Sequence, residues 1–218
     1  KTVSNALLQG IILVVLILFI FMGSFRPSIV VAASIPFSVL FAMIGMNYFN
    51  ISANLMSFGG LAIAIGMMVD GSIVITENIE RVLRDSSQTE SKIKLISKAF
   101  LEVIQPVSFA IIIIIIVFLP LFTLQGVEGK TFRPLAYTIS IAMFGSLIYA
   151  MFISPVLSTF LLKIPKKNED VKGIGLVQFL NRMYKPIITY FVNHRFMAIG
   201  LVSVLIIIGI AIFPQLGS

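Results

Sequence analysis

Residues Leu55 to Ile75 read LMSFGGLAIAIGMMVDGSIVI, and this stretch decides the fold. At about 1.5 Å per residue it is the length of helix needed to cross the hydrocarbon of a bilayer. Asp70 is its only ionisable residue. A carboxylate near the centre of a membrane helix costs about 2.5–3.5 kcal/mol on insertion scales. Such a group pairs, takes up a proton or faces water, and by default it marks an ion or proton pathway. The plainer alternative is a structural Asp hydrogen-bonded to a neighbouring helix. Gly59, Gly60, Ala62, Ala64, Gly66, Gly71 and Ser72 make the same helix smooth. Small residues at these intervals let helices approach closely, so the stretch is expected inside a bundle rather than bathed in lipid.

The rest of the chain agrees. Of its 218 residues 58% are hydrophobic and 11% charged, and the mean hydropathy is +1.07. A soluble chain of this size needs far more polar surface to cover its core. The expected class is all-α, a polytopic helical membrane bundle with no soluble domain, residues 1–218 forming one partial transmembrane domain. Six apolar runs read as spans: about 6–25, 29–49, 55–77, 107–124, 136–162 and 196–213. Pro36 and Pro155 fall inside spans, where a missing N–H and a ring clash favour kinks; Pro106 and Pro120 lie nearer span ends. There is no cysteine, which removes disulfides and thiolate metal sites. The single histidine, His194, sits beside Arg195 and reads as an interfacial residue rather than a ligand.

Loop charge sets an orientation. Arg26, the group Arg81, Arg84, Lys92, Lys94 and Lys98, and the group Lys163, Lys166, Lys167, Lys172, Arg182, Lys185 and Arg195 all fall on one side. Only Lys1, Lys130 and Arg133 fall on the other. The positive-inside rule places the first side in the cytoplasm and both ends of the chain outside it. The net charge of +7 is then topological, and no nucleic-acid partner is expected. A chain that starts outside with neither initiator Met nor signal peptide is expected to be an internal piece of a longer protein. Asp85-Ser86-Ser87 reads as a break and Lys92 to Val103 as a short helix. Leu176, Leu180, Met183, Tyr184, Ile187, Ile188 and Phe191 recur at helical spacing, with Gln178, Asn181, Arg182 and Lys185 opposite. This predicts an amphipathic helix at about 175–192 that lies on the membrane surface or packs on another helix, with Pro186 able to bend or divide it.

Asp70 and Glu77 are seven residues apart, two turns, and share a helix face. A deep carboxylate with a second one nearer the interface suits stepwise proton movement, so Asp70 and Glu77 are the candidate proton relay. For Glu77 an ordinary helix-end charge is the competing reading.

At this point the chain resembles a known family. Gly59 to Asn78, GGLAIAIGMMVDGSIVITEN, is similar to the fourth transmembrane helix of resistance–nodulation–division (RND) efflux permeases. Thr123 to Thr138, TLQGVEGKTFRPLAYT, resembles the loop between helices five and six of their heavy-metal-efflux branch. The resemblance covers the whole chain and implies that the six spans are helices two to seven of a twelve-helix bacterial inner-membrane permease. It implies a homotrimer that exchanges protons for substrate and works with a periplasmic adaptor and an outer-membrane channel. It assigns Asp70 as the relay aspartate, with its cationic partner on a helix absent here. Gly71 stands where multidrug members commonly carry a second Asp, which points away from that branch. Divalent-cation members often carry an Asp six residues before the relay Asp; Ala64-Ile65-Gly66 here looks more like the copper/silver subgroup.

The same resemblance aligns Met56, Met68 and Met143 with intramembrane methionines of copper/silver members, while Ile75 and Ser158 stand where further methionines can occur. Thioethers are soft ligands suited to Cu(I) and, by the same softness, Ag(I); Met also fills gaps between helices readily. Both readings stay open. The expected function is transport rather than catalysis: proton-driven efflux of a heavy-metal cation, Cu(I) or Ag(I) foremost, with no catalytic residues and no bound cofactor. The alternatives are an RND exporter of divalent cations or organic compounds, and a non-transporting membrane scaffold.

Overall fold

The computed structural model describes residues 2–86, 90–164 and 175–212, and every described regular element is helical. The chain divides into two units, Lys1–Asp170 and Val171–Ser218. In the first, α1 spans Thr2–Met22, α2 Phe25–Ala32, α3 Ser34–Tyr48, α4 Leu55–Asp85, α5 Lys92–Phe118, α6 Gly126–Ile148 and α7 Ser154–Leu161. In the second, α8 spans Gly175–Asn193 and α9 Arg195–Ile212.

Among the described residues, four stretches are individually long and apolar enough to cross a membrane: Phe25–Tyr48, Leu55–Asp85, Lys92–Thr123 and Gly126–Leu161. Leu7–Met22 is a shorter apolar helix. Arg182–Asn193 and Arg195–Ile210 meet the criterion only together and are bent by 98° at their junction. His194 sits at that corner, its ring stacked on Tyr190 with centroids 4.6 Å apart. The pair joins an amphipathic helix to a more apolar one and by length and composition amounts to at most one span. Pro186 lies inside α8 without ending it.

Several boundaries differ from the sequence reading, each for a local reason. The second run is two helices meeting at Ala33. Carbonyls at this joint are taken by side chains: Val31 by the Ser34 hydroxyl at 2.6 Å and Val30 by the Tyr149 hydroxyl at 2.5 Å. Pro36 falls in the first turn of α3, where its missing N–H costs nothing. The short helix expected at 92–103 is instead the start of α5, which runs through Pro106. Packing along α4 overrides the proline, as neighbouring helices commonly do in membranes. The fifth run begins a helix ten residues early, because α6 starts at Gly126 and carries Glu128, Lys130 and Arg133 ahead of its apolar part. It reaches Pro155 through a wide π turn at Tyr149–Ile153, which absorbs the hydrogen bond that proline cannot make. The break after Asp85 is present at Ser86, which caps α4; Ser87 lies outside the described residues.

The core is built around α4. It packs most extensively on α6 and α5, then on α2 and α3, and touches α1 and α7. Leu61, Ala64, Ile65, Met68, Val69, Ile75 and Ile79 from α4 join Ile139, Ala142, Met143 and Leu147 from α6 in one buried cluster.

Candidate functional site

The site is carried by α4, and its register is fixed at the start. Asn50 adopts a left-handed turn with φ 53°. The Asn54 side chain then caps the helix, accepting from the Ser57 amide at 2.9 Å, while the Ser57 hydroxyl donates to the Ser52 carbonyl at 2.7 Å. A side-chain oxygen accepting from the third residue on satisfies an otherwise orphaned amide and sets where the spiral begins.

From that start α4 presents two faces. Ser57, Gly60, Leu61, Ala64, Ile65, Met68, Gly71, Ser72, Ile75 and Ile79 turn inward. Ala62, Ile63, Gly66, Asp70, Val74, Glu77 and Arg81 form an exposed stripe on the other side. A Cβ added at Gly59 or Gly66 would meet nothing within 4 Å. Asp70 therefore sits midway along an open surface, and Glu77 lies two turns further on the same surface. Among the described residues neither carboxylate has a hydrogen-bond or ion-pair partner.

The inward face is tightly made. At Gly60 a Cβ would come within 2.7 Å of the Leu135 carbonyl oxygen of α6. Deeper along the seam, the Ser146 hydroxyl of α6 donates to the Met68 carbonyl at 2.5 Å. Against α5, a Cβ at Gly71 would meet Ile111 Cδ1 at 3.0 Å and Val107 Cγ1 at 3.2 Å. A methyl at position 71 would require Ile111 or Val107 to give by a few tenths of an ångström, so α4 and α5 are in close contact there. Met68 and Met143 are both fully buried in the α4–α6 cluster, and Met56 is half-buried near the start of α4. Two residues separate Met68 from Asp70, about 200° of helical rotation, so thioether and carboxylate point to opposite sides of α4. Among the described residues no group of three or more His, Cys, Asp or Glu could hold a metal ion.

One buried polar tie was not read from the sequence. Asn78 turns inward beside Glu77 and donates to the Ala99 carbonyl at 2.7 Å and to Glu102 Oε2 at 3.1 Å on α5. Its own oxygen accepts from Arg81 Nη2 at 2.6 Å. An amide one position on from an outward-facing carboxylate is rotated by about 100°, and that offset was the available signal.

The TLQGVEGKTFRP loop also has a structural account. Gly126 has φ +66°, which favours glycine. Gly129 lies so close to the Leu124 carbonyl that a Cβ would collide with it, and Arg133 Nη2 donates to the same oxygen at 2.7 Å.

Long apolar helices packed around one helix with a carboxylate at mid-length fit a polytopic membrane protein. The chain belongs to the AcrB/AcrD/AcrF family, whose model matches residues 1–218, and specifically to the heavy-metal efflux permeases of the RND type. It is 37% identical over 226 residues to protein HelA of Legionella pneumophila, across 100% of this chain and 21% of that one. It is 35% identical over 225 residues to the cobalt-zinc-cadmium resistance protein CzcA of Cupriavidus metallidurans, again across 100% and 21%. With the cation efflux system protein CusA of Escherichia coli K12 it shares 33% identity over 195 residues, 85% of this chain and 18% of that one. The crystal structure of a heavy metal efflux pump superposes with a TM-score of 0.62 at 40% identity, covering 73% of this chain and 15% of that chain. The chain thus spans about a fifth of the length of the curated relatives it matches.

Proposed function

We propose that this chain supplies helices two to seven of a twelve-helix permease that exports a heavy-metal cation against an inward flow of protons. In this reading the basic loops are cytoplasmic, both ends of the chain are periplasmic, and the full-length protein is a homotrimer in the bacterial inner membrane, joined to a periplasmic adaptor and an outer-membrane channel. The observation that carries the proposal is Asp70, held in mid-span on the open stripe of α4. A titratable group so placed can lose and gain a proton only by way of groups that face this stripe, and Glu77 on the same stripe leads toward the cytoplasm. The cargo we assign is Cu(I) or Ag(I), for which the thioethers of Met68 and Met143 are chemically suited. A second reading, divalent cations, is favoured by the match to CzcA, which runs along the whole of this chain and 21% of that one.

The test is Asp70→Asn in the full-length protein. Asn keeps the size and hydrogen bonding of Asp but cannot cycle a proton. Metal uptake driven by a pH gradient into inverted vesicles, at matched expression, should be abolished while the protein stays folded and trimeric. Wild-type uptake by this variant would remove Asp70 from the coupling mechanism, whereas absence of pH-driven uptake by the wild-type protein itself would leave the scaffold reading standing.

A further inference from the structure

Three cations from three separate elements gather at the basic end of the first unit. Lys92 opens α5, and its ammonium donates to the Thr159 carbonyl of α7 at 2.5 Å. That bond pins the start of α5 to the end of α7. Arg26 lies in the first turn of α2, which packs on α7, and Lys163 follows directly on the end of α7. The charges of Arg26 and Lys163 both act on Lys92. Among the described residues no carboxylate lies within ion-pair distance of any of the three. A lysine carries three donors and an arginine five, and Lys92 has committed only one. Like charges brought this close repel, so the arrangement calls for an anion.

The surroundings say which kind. Phe25, next to Arg26, is 69% exposed, and Phe160, three residues before Lys163, is 80% exposed. Phe25 is braced by Phe19, with ring centroids 5.3 Å apart. These rings stand where apolar helices give way to charge, the level at which hydrocarbon meets head groups. Basic clefts between membrane helices on the cytoplasmic side are suited to phosphate head groups.

We propose that Arg26, Lys92 and Lys163 form a binding site for the phosphate head group of an anionic phospholipid, with Phe25 and Phe160 lying along its acyl chains. The inference is independent of the exported cation. It predicts that the lipid bridges α2, α5 and α7 at the membrane surface.

The experiment uses the full-length protein in nanodiscs of phosphatidylcholine, titrated with fluorescent phosphatidylglycerol. Arg26→Gln/Lys163→Gln removes two of the cations and leaves the Lys92–Thr159 bond in place. Lys94→Gln/Lys98→Gln removes the same charge from exposed positions on α5 and is the control. General surface attraction is worth about fivefold per basic residue, roughly 25-fold for either pair, so the first pair should weaken binding by clearly more than that and the control pair by no more. Thermal stability in pure phosphatidylcholine should match wild type for both. Equal weakening by the two pairs would reduce the site to general surface attraction and overturn the proposal. So would displacement of the bound lipid by inorganic phosphate at equal affinity, which would make a soluble anion the ligand. If Arg26→Gln/Lys163→Gln loses stability in neutral lipid, Arg26→Lys/Lys163→Arg, which keeps both charges, must restore tight lipid binding; failure to do so overturns the proposal as well.

Discussion

Gly60→Ala measures how much of the bundle rests on the α4–α6 seam. The added methyl would lie 2.7 Å from the Leu135 carbonyl oxygen and 3.2 Å from its Cα. Those atoms are backbone, inside α6, and cannot rotate away. Overpacking of this kind costs about 1–3 kcal/mol, while exchanging Gly for Ala in a helix returns up to about 1 kcal/mol. The steric term wins, and a net loss of about 1–2 kcal/mol is expected. Gly45→Ala is the matched comparison. There the new methyl would approach Ile141 Cγ2 at 2.6 Å, which is side chain. An apolar hollow of about 480 Å³, lined by Phe41, Ile44, Gly45, Ile141 and Phe144 among others, gives Ile141 room to change rotamer. Cγ2 moves only with χ1, which is stiff for a β-branched residue in a helix, so a strain of about 0.5–1.5 kcal/mol is offset in part by the helix-propensity gain. Unfolding of the full-length protein in detergent, followed by helical circular dichroism against denaturant, should place Gly45→Ala between wild type and the less stable Gly60→Ala. Equal stability of the two variants would refute the reasoning that backbone contact at Gly60 sets the helix separation.

Three further outcomes are expected. Single cysteines at Glu90 and Gln125, both exposed, should be distinguished by an impermeant thiol reagent added to intact cells, which should label position 125 and spare position 90; the reverse pattern would invert the topology. The double change Met68→Leu/Met143→Leu keeps comparable apolar bulk and should cost under about 1.5 kcal/mol if the two side chains only pack. A marked fall in Cu(I) or Ag(I) export at matched expression would show that the thioethers serve the cargo, and unchanged export would return them to packing. Asn78→Ala should destabilise by about 1–3 kcal/mol, because it strips buried hydrogen bonds. Arg84→Ala, which removes an exposed i,i+4 ion pair with Glu80 at 3.1 Å and does not touch Asn78, should cost no more than about 1 kcal/mol. Similar losses for the two in denaturant titration would count against a buried tie at Asn78.

What the sequence made legible were features that repeat along one helix. The length of Leu55–Ile75 and the isolation of Asp70 within it were visible directly. So was the shared face of Asp70 and Glu77, which needs only the helical period. What could not be read depended on the neighbour. Gly59, Gly60 and Gly66 are alike in the sequence, yet one presses on a backbone carbonyl and the other two face open space. The continuous α5 was missed because Pro106 and the charges before it look like a boundary, whereas packing on α4 carries the helix through. The start of α6 was missed because hydropathy marks the apolar part of a helix and not its polar overhang. Cargo was the least legible. The local pattern at Ala64-Ile65-Gly66 leaned toward copper and silver, but over longer stretches the chain matches CzcA and CusA to nearly the same degree. Overall identity therefore does not separate the two cation classes.

The two faces of α4 constrain how a proton at Asp70 can act. The inward face is fixed to its neighbours at three levels: at Gly60 against Leu135, at Met68 through Ser146, and at Asn78 through Ala99 and Glu102. Sliding α4 past α6 by one turn would break the Ser146 bond and drive larger side chains against the Leu135 backbone where only Gly60 fits. The outward face carries Asp70 and Glu77 and none of these contacts. In the relay proposed above, a change of charge at Asp70 acts on whatever packs on the open stripe. A rigid-body displacement of α4, α5 and α6 together would leave the methionine-bearing seam as it is, so coupling in this proposal lies on the open stripe and not on the α4–α6 seam.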